Sequence, residues 1–241
     1  MTETTSRWIR WPGYAAWAFL ALLPVAIVIV RSGNWKPGLA VYALASLLSV
    51  ITLAVMAIMS LFPRWSAERG VILKRALPAI PGSIVVVLGL QGLGIPPIHD
   101  ISTDTLDPPM FEAAPALRGQ GSNSLDIKPD SMVQQLTAYP TVQTIESFRA
   151  YASSYNLALI TAQKLDWEIT RQDSNAGFIE AVDTTPLMNF KDDIVIRVRS
   201  NENGSLVDLR SVSRVGVSDV GANAKRILAF ADAFTDASAK Q

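Results

Sequence analysis

The chain has 241 residues, of which 49% are apolar and only 17% charged, and its formal net charge is +0. It holds no cysteine, which excludes disulfides, thiolate metal sites and cysteine nucleophiles; its one histidine, His99, argues against a Ser-His-Asp triad or a multi-histidine metal centre. The charge is unevenly spread: residues 1–98 carry 8 Lys/Arg against 2 Asp/Glu and residues 99–241 carry 13 against 19, so the parts stand at +6 and −6. The acidic part speaks against a nucleic-acid partner, which needs a basic surface to displace counterions.

The first 98 residues read as a membrane domain. A bilayer core of roughly 30 Å needs about 20 apolar residues in helical form. Trp11–Val30, Leu39–Phe62 and Ala76–Ile98 are three uncharged stretches of that kind. Trp8, Trp11, Trp17, Trp35 and Trp65 fall in or near the interfaces, where amphipathic rings collect. Pro24 lies inside the first stretch, which membrane helices tolerate. The third stretch is the least regular. Pro78, Pro81, Pro96 and Pro97 crowd its ends, Gly89, Gly92 and Gly94 weaken its last turns, and partial unwinding or tilt is expected near Gln91. The first stretch is too long for a signal-peptide core and no small-residue cleavage site follows it, so it reads as an anchor. Ala45 and Ser49 are small enough to let helices pack closely.

Lys/Arg counts in the short loops set the orientation. Arg7, Arg10, Arg64, Arg69, Lys74 and Arg75 lie on one side; Arg31 and Lys36 lie on the other, which has no further Lys or Arg between His99 and Leu117. The expected arrangement is a multi-pass protein of the bacterial inner membrane, with a cytoplasmic N-terminus and a periplasmic C-terminal domain. The spans lack the ionisable residues that mark an ion or substrate pathway, which weighs against a channel or transporter.

Residues 99–139 read as an extended connector, with Asp107-Pro108-Pro109 followed by Gly119, Gly121, Ser122, Asn123 and Ser124. The soluble domain is placed at 140–241. Ile145, Phe148, Tyr151, Ala152, Tyr155 and Leu159 form an apolar stripe that predicts a helix over Thr144–Gln163, with Thr144 as N-cap. Four strands are expected at Trp167–Gln172, Phe178–Thr184, Asp193–Ser200 and Ser205–Ser213, the last two joined by the turn Asn201-Glu202-Asn203-Gly204. A last helix is expected from Asp219 to Thr235, with Ile227, Phe230, Ala231 and Phe234 buried. Strands joined by short turns pair antiparallel. The fold class expected is therefore three transmembrane α-helices followed by an α+β domain, a four-stranded antiparallel sheet with two helices packed on one face.

One run is distinctive: Phe190-Lys191-Asp192-Asp193-Ile194-Val195-Ile196-Arg197-Val198, then Asp208-Leu209-Arg210-Ser211-Val212-Ser213-Arg214-Val215-Gly216-Val217-Ser218-Asp219-Val220-Gly221-Ala222-Asn223-Ala224-Lys225-Arg226-Ile227. It resembles the signature of domain of unknown function family 1499. Asp100-Ile101-Ser102-Thr103-Asp104 and Pro108-Pro109-Met110-Phe111 resemble the opening segment of the membrane-anchored bacterial members. The likeness covers roughly residues 99–236. It implies a bacterial envelope protein, or a distant relative of plastid members, and brings no catalytic residues to carry over. Some members have cysteines near the domain opening, and any role of those thiols is absent here.

The charged residues allow two readings. Arg197, Arg199, Arg210 and Arg214 share a strand face if the register brings those faces together, opposite carboxylates such as Asp208, Glu180 or Asp183. The functional reading is an anion site built from Arg197, Arg210, Ser211, Ser213, Arg214 and Arg226 with the helix start at Ser218, Gly221 and Asn223. The structural reading is that Ser218 or Asp219 caps the helix and that Arg and Asp pair across strands; it weighs more, because Asp219 would already fill the anion position. Asp192 and Asp193 are adjacent in a strand, point to opposite faces and cannot chelate together. No cofactor or metal is expected. The function expected is an envelope interaction or accessory module held by the lipid bilayer and docking another envelope protein. The alternatives are a module for an anionic lipid headgroup or phosphate-bearing glycan, and a carboxylate-only enzyme.

Overall fold

The computed structural model describes residues 6–239; the domain limits set above at residues 1 and 241 lie outside them. The chain divides into two compact units. The first runs up to Leu93 and includes Leu187–Asn189; the second holds Gly94–Pro186 and the chain from Phe190 onward.

The first unit contains α1 (Arg7–Arg31), α2 (Trp35–Leu61) and a third helical segment, Pro63–Leu90, and each is long and apolar enough to cross a membrane. The third segment starts earlier and stops earlier than the apolar stretch predicts. It opens on a 3-10 turn at Pro63–Glu68 and continues as α3 (Arg69–Ala76), a short 3-10 turn and α4 (Ile80–Leu90). Arg69, Lys74 and Arg75 are helical without being apolar, so hydropathy alone passes over them. Beyond Leu90 the chain turns through Gln91–Gly94, where glycines are poor helix formers. Ile9, Met56, Ile72 and Ala76 form the buried cluster of this unit. Of the close packing expected at Ala45 and Ser49, that at Ser49 is between α2 and α4: a Cβ at Gly82 would collide with the Ser49 side chain. The hydroxyls of Ser46, Ser49 and Thr52 donate to the carbonyls of Tyr42, Ala45 and Leu48, each at 2.8 Å. These polar side chains are thereby satisfied within their own helix, as a lipid environment requires.

The second unit is an antiparallel sheet with helices. The sheet has six strands rather than four: β1 (Asp100–Ser102), β2 (Ile145–Ser147), β3 (Glu168–Asp173), β4 (Phe178–Thr184), β5 (Lys191–Asn201) and β6 (Gly204–Ser213). Their order is β1-β6-β5-β4-β3, and β2 also pairs with β6. The two extra strands share one edge. β1 lies against Arg210–Val212 and β2 against Ser205–Val207, both antiparallel, so they line up end to end as one strand interrupted by residues 103–144. Thr103 and Thr144 mark where the chain leaves and returns. Thr103 N–H and Oγ1 bond the Leu209 backbone, and Thr144 Oγ1 donates to Asp208 at 2.6 Å. Thr144 is therefore not the helix N-cap. Strands of three residues show no period-2 pattern, and Ile145 falls in register with the stripe of the following helix, α7 (Tyr151–Lys164), which explains why both were missed.

α7 and α8 (Ala222–Ala239) cover one sheet face. Tyr155, Ala158 and Ala162 of α7 and Ile227, Phe230 and Phe234 of α8 pack on Ile179, Ile194, Ile196, Val198, Val207 and Leu209. Trp167 stacks on Phe230, with centroids 5.5 Å apart. The other face is closed by the stretch expected to be an extended connector. It contains β1, α5 (Ala114–Leu117) and α6 (Pro129–Ala138), and its Phe111 and Ala114 are buried with Val195 and Val212 of the sheet. From α6, Gln135 reaches β1, accepting from Ser102 N–H at 2.9 Å and donating to Ser102 C=O at 2.5 Å. A side-chain amide thus stands in for a neighbouring strand at this edge.

Candidate functional site

The register puts most of the charged side chains of β5 and β6 on the face away from α7 and α8. Val195 pairs with Arg210, Arg197 with Asp208 and Asp193 with Val212, while Glu180 pairs with Val195 from the other side. Opposite residues of an antiparallel pair share a face, so Glu180, Asp193, Arg197, Asp208 and Arg210 all point under the strap formed by residues 103–126.

Three of the ionic groups there hold arginines proposed from the sequence. In the first, Arg197 and Arg199 meet Asp104, Asp107 and Asp208. Arg197 reaches Asp107 at 2.8 Å, Asp208 at 3.1 Å and Asp104 at 3.2 Å, and Arg199 reaches Asp208 at 2.7 Å. Burial pushes the Asp104 carboxyl up, but the N–H groups of Asp107 and Leu106 and the two guanidiniums outweigh it and leave it below its ordinary value. In the second group Arg210 holds Asp100 through two parallel bonds of 2.9 and 2.7 Å, donates to the strap carbonyl of Leu125 at 2.7 Å, and lies over the Phe111 ring. In the third, Asp193 receives Arg214 at 2.7 Å and Arg118 at 3.0 Å, while Arg214 also donates to Leu117 C=O. Burial, with the Arg214 charge adding to it, lowers the Arg118 pKa against the pull of Asp193. Glu180, 1% exposed, accepts the backbone N–H groups of Glu112, Ala113 and Ala114, the free donors at the start of α5.

A fourth group lies on the helix-covered face. Arg226 of α8 holds Asp183 at 2.7 Å and Asp192 at 2.5 Å and donates to Ser211 Oγ. Ser211 donates to Asn223 Oδ1, and Asn223 donates to Ser213 Oγ and to His99 C=O. Asp219 accepts Gly221 N–H and Asn223 N–H at 2.8 and 2.7 Å, capping α8. Burial, helped by the neighbouring Asp192, raises the Asp219 pKa despite those bonds and Arg226. Ser218 Oγ accepts Val220 N–H.

The sequence profile of the family described as protein of unknown function (DUF1499) matches residues 100–234. The chain belongs to the DUF1499 family. The match takes in the strap, all six strands and most of α8. A comparison with curated proteins finds no match.

The nine residues proposed from sequence do not converge in this DUF1499 domain. Arg197, Arg210 and Arg214 enter three separate groups under the strap. Ser211, Ser213, Asn223 and Arg226 come together on the opposite face. Ser218 and Gly221 belong to the turn that starts α8. Asp192 and Asp193 point to opposite faces, one to Arg226 and the other to Arg214 and Arg118. Sequence reasoning missed Asp100, Asp104, Asp107, Arg118 and the Glu180 cap. One signal for them existed: Asp100, Asp104 and Asp107 lie in a stretch with no Lys or Arg before Arg118, so their counter-charges had to come from the strands. Among the described residues, no group of three or more His, Asp or Glu is placed to hold a metal ion.

Proposed function

We propose that this protein is a membrane-anchored interaction module of the bacterial envelope, with its DUF1499 domain on the periplasmic side. The observation that carries this reading is where the arginines are spent. Arg197, Arg210, Arg214 and Arg226 are each held by at least one carboxylate of the same domain. An incoming phosphate or carboxylate would have to displace those partners, so the geometry favours the interaction reading over the anionic lipid or glycan reading. The arginines clamp the strap and the α8 start; what the domain offers outward is its surface. Two apolar side chains stand out on it. Leu106 is 96% exposed, on a turn whose N–H groups are held by Asp104, and Phe148 is 91% exposed, between β2 and α7. The surplus of Lys/Arg on one side of the apolar stretches supports the periplasmic side.

Two experiments test the reading. Alkaline phosphatase fused at the C-terminus should be active and a fluorescent protein fused there dark; the reverse overturns the orientation. A photo-crosslinking residue placed at Leu106 or Phe148 in cells should give discrete protein adducts. The absence of adducts at both positions, with the protein at normal abundance, overturns the docking role.

A further inference from the structure

The turn before α8 is tied to the chain where it enters the second unit. Asp219 N–H donates to Ile98 C=O at 3.2 Å, Ser218 Oγ to Pro96 C=O at 3.4 Å, and His99 Nδ1 lies 3.2 Å from Val217 C=O. These partners follow the third apolar segment closely. Its last helix ends at Leu90, and Leu93 is still apolar and 76% exposed. Two residues, Gly94 and Ile95, separate Leu93 from Pro96, a reach of at most about 11 Å over the three steps. The headgroup layer on each side of a bilayer is about 5–8 Å deep. The turn is thus bonded to Pro96, Ile98 and His99, which follow the segment directly in the chain.

Its exposed side chains suit such a place. Val217 is 74% exposed and Val220 is 52% exposed. Val220 has φ +54, a conformation that is a genuine outlier for a β-branched residue. Glycine or asparagine would adopt it with less strain, and Gly216 and Gly221 beside it do take positive φ. What valine adds is an apolar side chain turned outward at a cost in backbone energy, and strain kept at an exposed position points to a use for it. The one charged side chain of the turn, Asp219, is directed inward onto Gly221 and Asn223, so the tip is uncharged.

We propose that Val217 and Val220 form a lipid-contacting tip that inserts into the headgroup layer beside the third membrane segment. The contact is apolar and independent of lipid charge. Two valines would bind a bilayer only weakly alone, but the covalent tether makes the event intramolecular, so a weak contact suffices. The inference rests on the third segment crossing the membrane and not on the docking role proposed above.

The chain has no cysteine, so Val217→Cys, Val220→Cys and Phe148→Cys variants of the full chain each accept one environment-sensitive dye. Phe148 follows Ser147, which pairs with Ser205, at the end of β6 opposite Ser213; eight residues of strand separate them, about 26 Å. In phosphatidylcholine nanodiscs, dyes at 217 and 220 should shift to the blue and lose most of their emission when nitroxide-labelled lipid is included. The dye at 148 should change little. Adding phosphatidylglycerol should leave the pattern unaltered. Val220→Asn, which relaxes the backbone and removes the apolar side chain, should reduce quenching of the dye at 217 while the fold is kept. Dyes at 217 and 220 as unquenched as the one at 148 would overturn the proposal, and so would quenching that appears only with anionic lipid.

Discussion

Asp100 and Arg210 form a two-pronged ion pair, with Nε to Oδ1 at 2.9 Å and Nη2 to Oδ2 at 2.7 Å, and the Arg210 side chain has no solvent exposure. Asp100 opens β1 and Arg210 lies within β6, so the pair fixes the first residue of the first strand to its partner strand, 110 residues away. Removing one member of such a pair leaves a buried charge uncompensated, at a cost of about 3–5 kcal/mol, whereas replacing both by apolar groups is often close to neutral. Asp100→Ala should therefore destabilise the domain by about that amount. Asp100→Leu combined with Arg210→Met should recover much of the loss, though not all, because Leu125 C=O also loses its donor. Urea unfolding of the full chain in detergent, with wild type and both variants side by side, measures the difference.

The membrane unit offers a steric prediction. A Cβ at Gly82 would overlap Ser49, with the Ser49 Cβ 2.7 Å away. Gly82→Ala should separate α2 from α4 and lower thermal stability in detergent. Ser49→Gly in the same chain should restore it, since it clears the space the new methyl needs. No rescue would mean that the damage lies in the backbone of α4 rather than in its packing on α2.

Acid should loosen the strap. The Asp104 pKa in the folded protein lies below its ordinary value of 3.8. Its contribution is therefore fully present above that value and is lost as pH falls through the lower, folded one. Pepsin cleavage within residues 103–126 should rise steeply below about pH 4. Asp104→Asn should raise cleavage at higher pH and flatten the dependence, because the strap's Asp104 charge on Arg197 and Arg199 is then absent throughout while Asp107 and Asp208 remain.

Long periodic elements were legible in the sequence, and their partners were not. Phe178–Thr184 is the observed β4, and β5, β6 and α8 lie close to their expected places, because each carries a full apolar face; α7 ends where expected but starts seven residues late, at Tyr151 instead of Thr144. β1 and β2 were illegible: three residues carry no pattern, and Ile145 fits a helical stripe as well as a strand. The strap read as irregular because, apart from the one-turn α5, it is, whereas α6 and β1 in the same expected connector were not foreseen. What the sequence lacked was the sheet register, and with it the fact that Arg197, Asp208 and Arg210 share a face that the chain itself covers. The same gap explains the site. Arginines on strands and a helix start looked convergent along the chain, but Arg210 and Ser211 are adjacent in a strand and point apart. Asp219 accepts the N–H groups at the start of α8, one of the two caps, Ser218 or Asp219, that the sequence offered.

The claim at the centre is that Arg197, Arg210 and Arg214 hold the strap down and are not a ligand site. Hydrogen exchange of the full chain in nanodiscs tests it most directly, comparing wild type with Arg197→Gln in the absence and presence of inorganic phosphate. The account predicts that amides of residues 103–126 lose protection in Arg197→Gln, that those of α7 and α8 keep theirs, and that phosphate changes nothing in wild type. Unchanged strap protection in Arg197→Gln, together with phosphate-dependent protection of the wild-type strands, would contradict it.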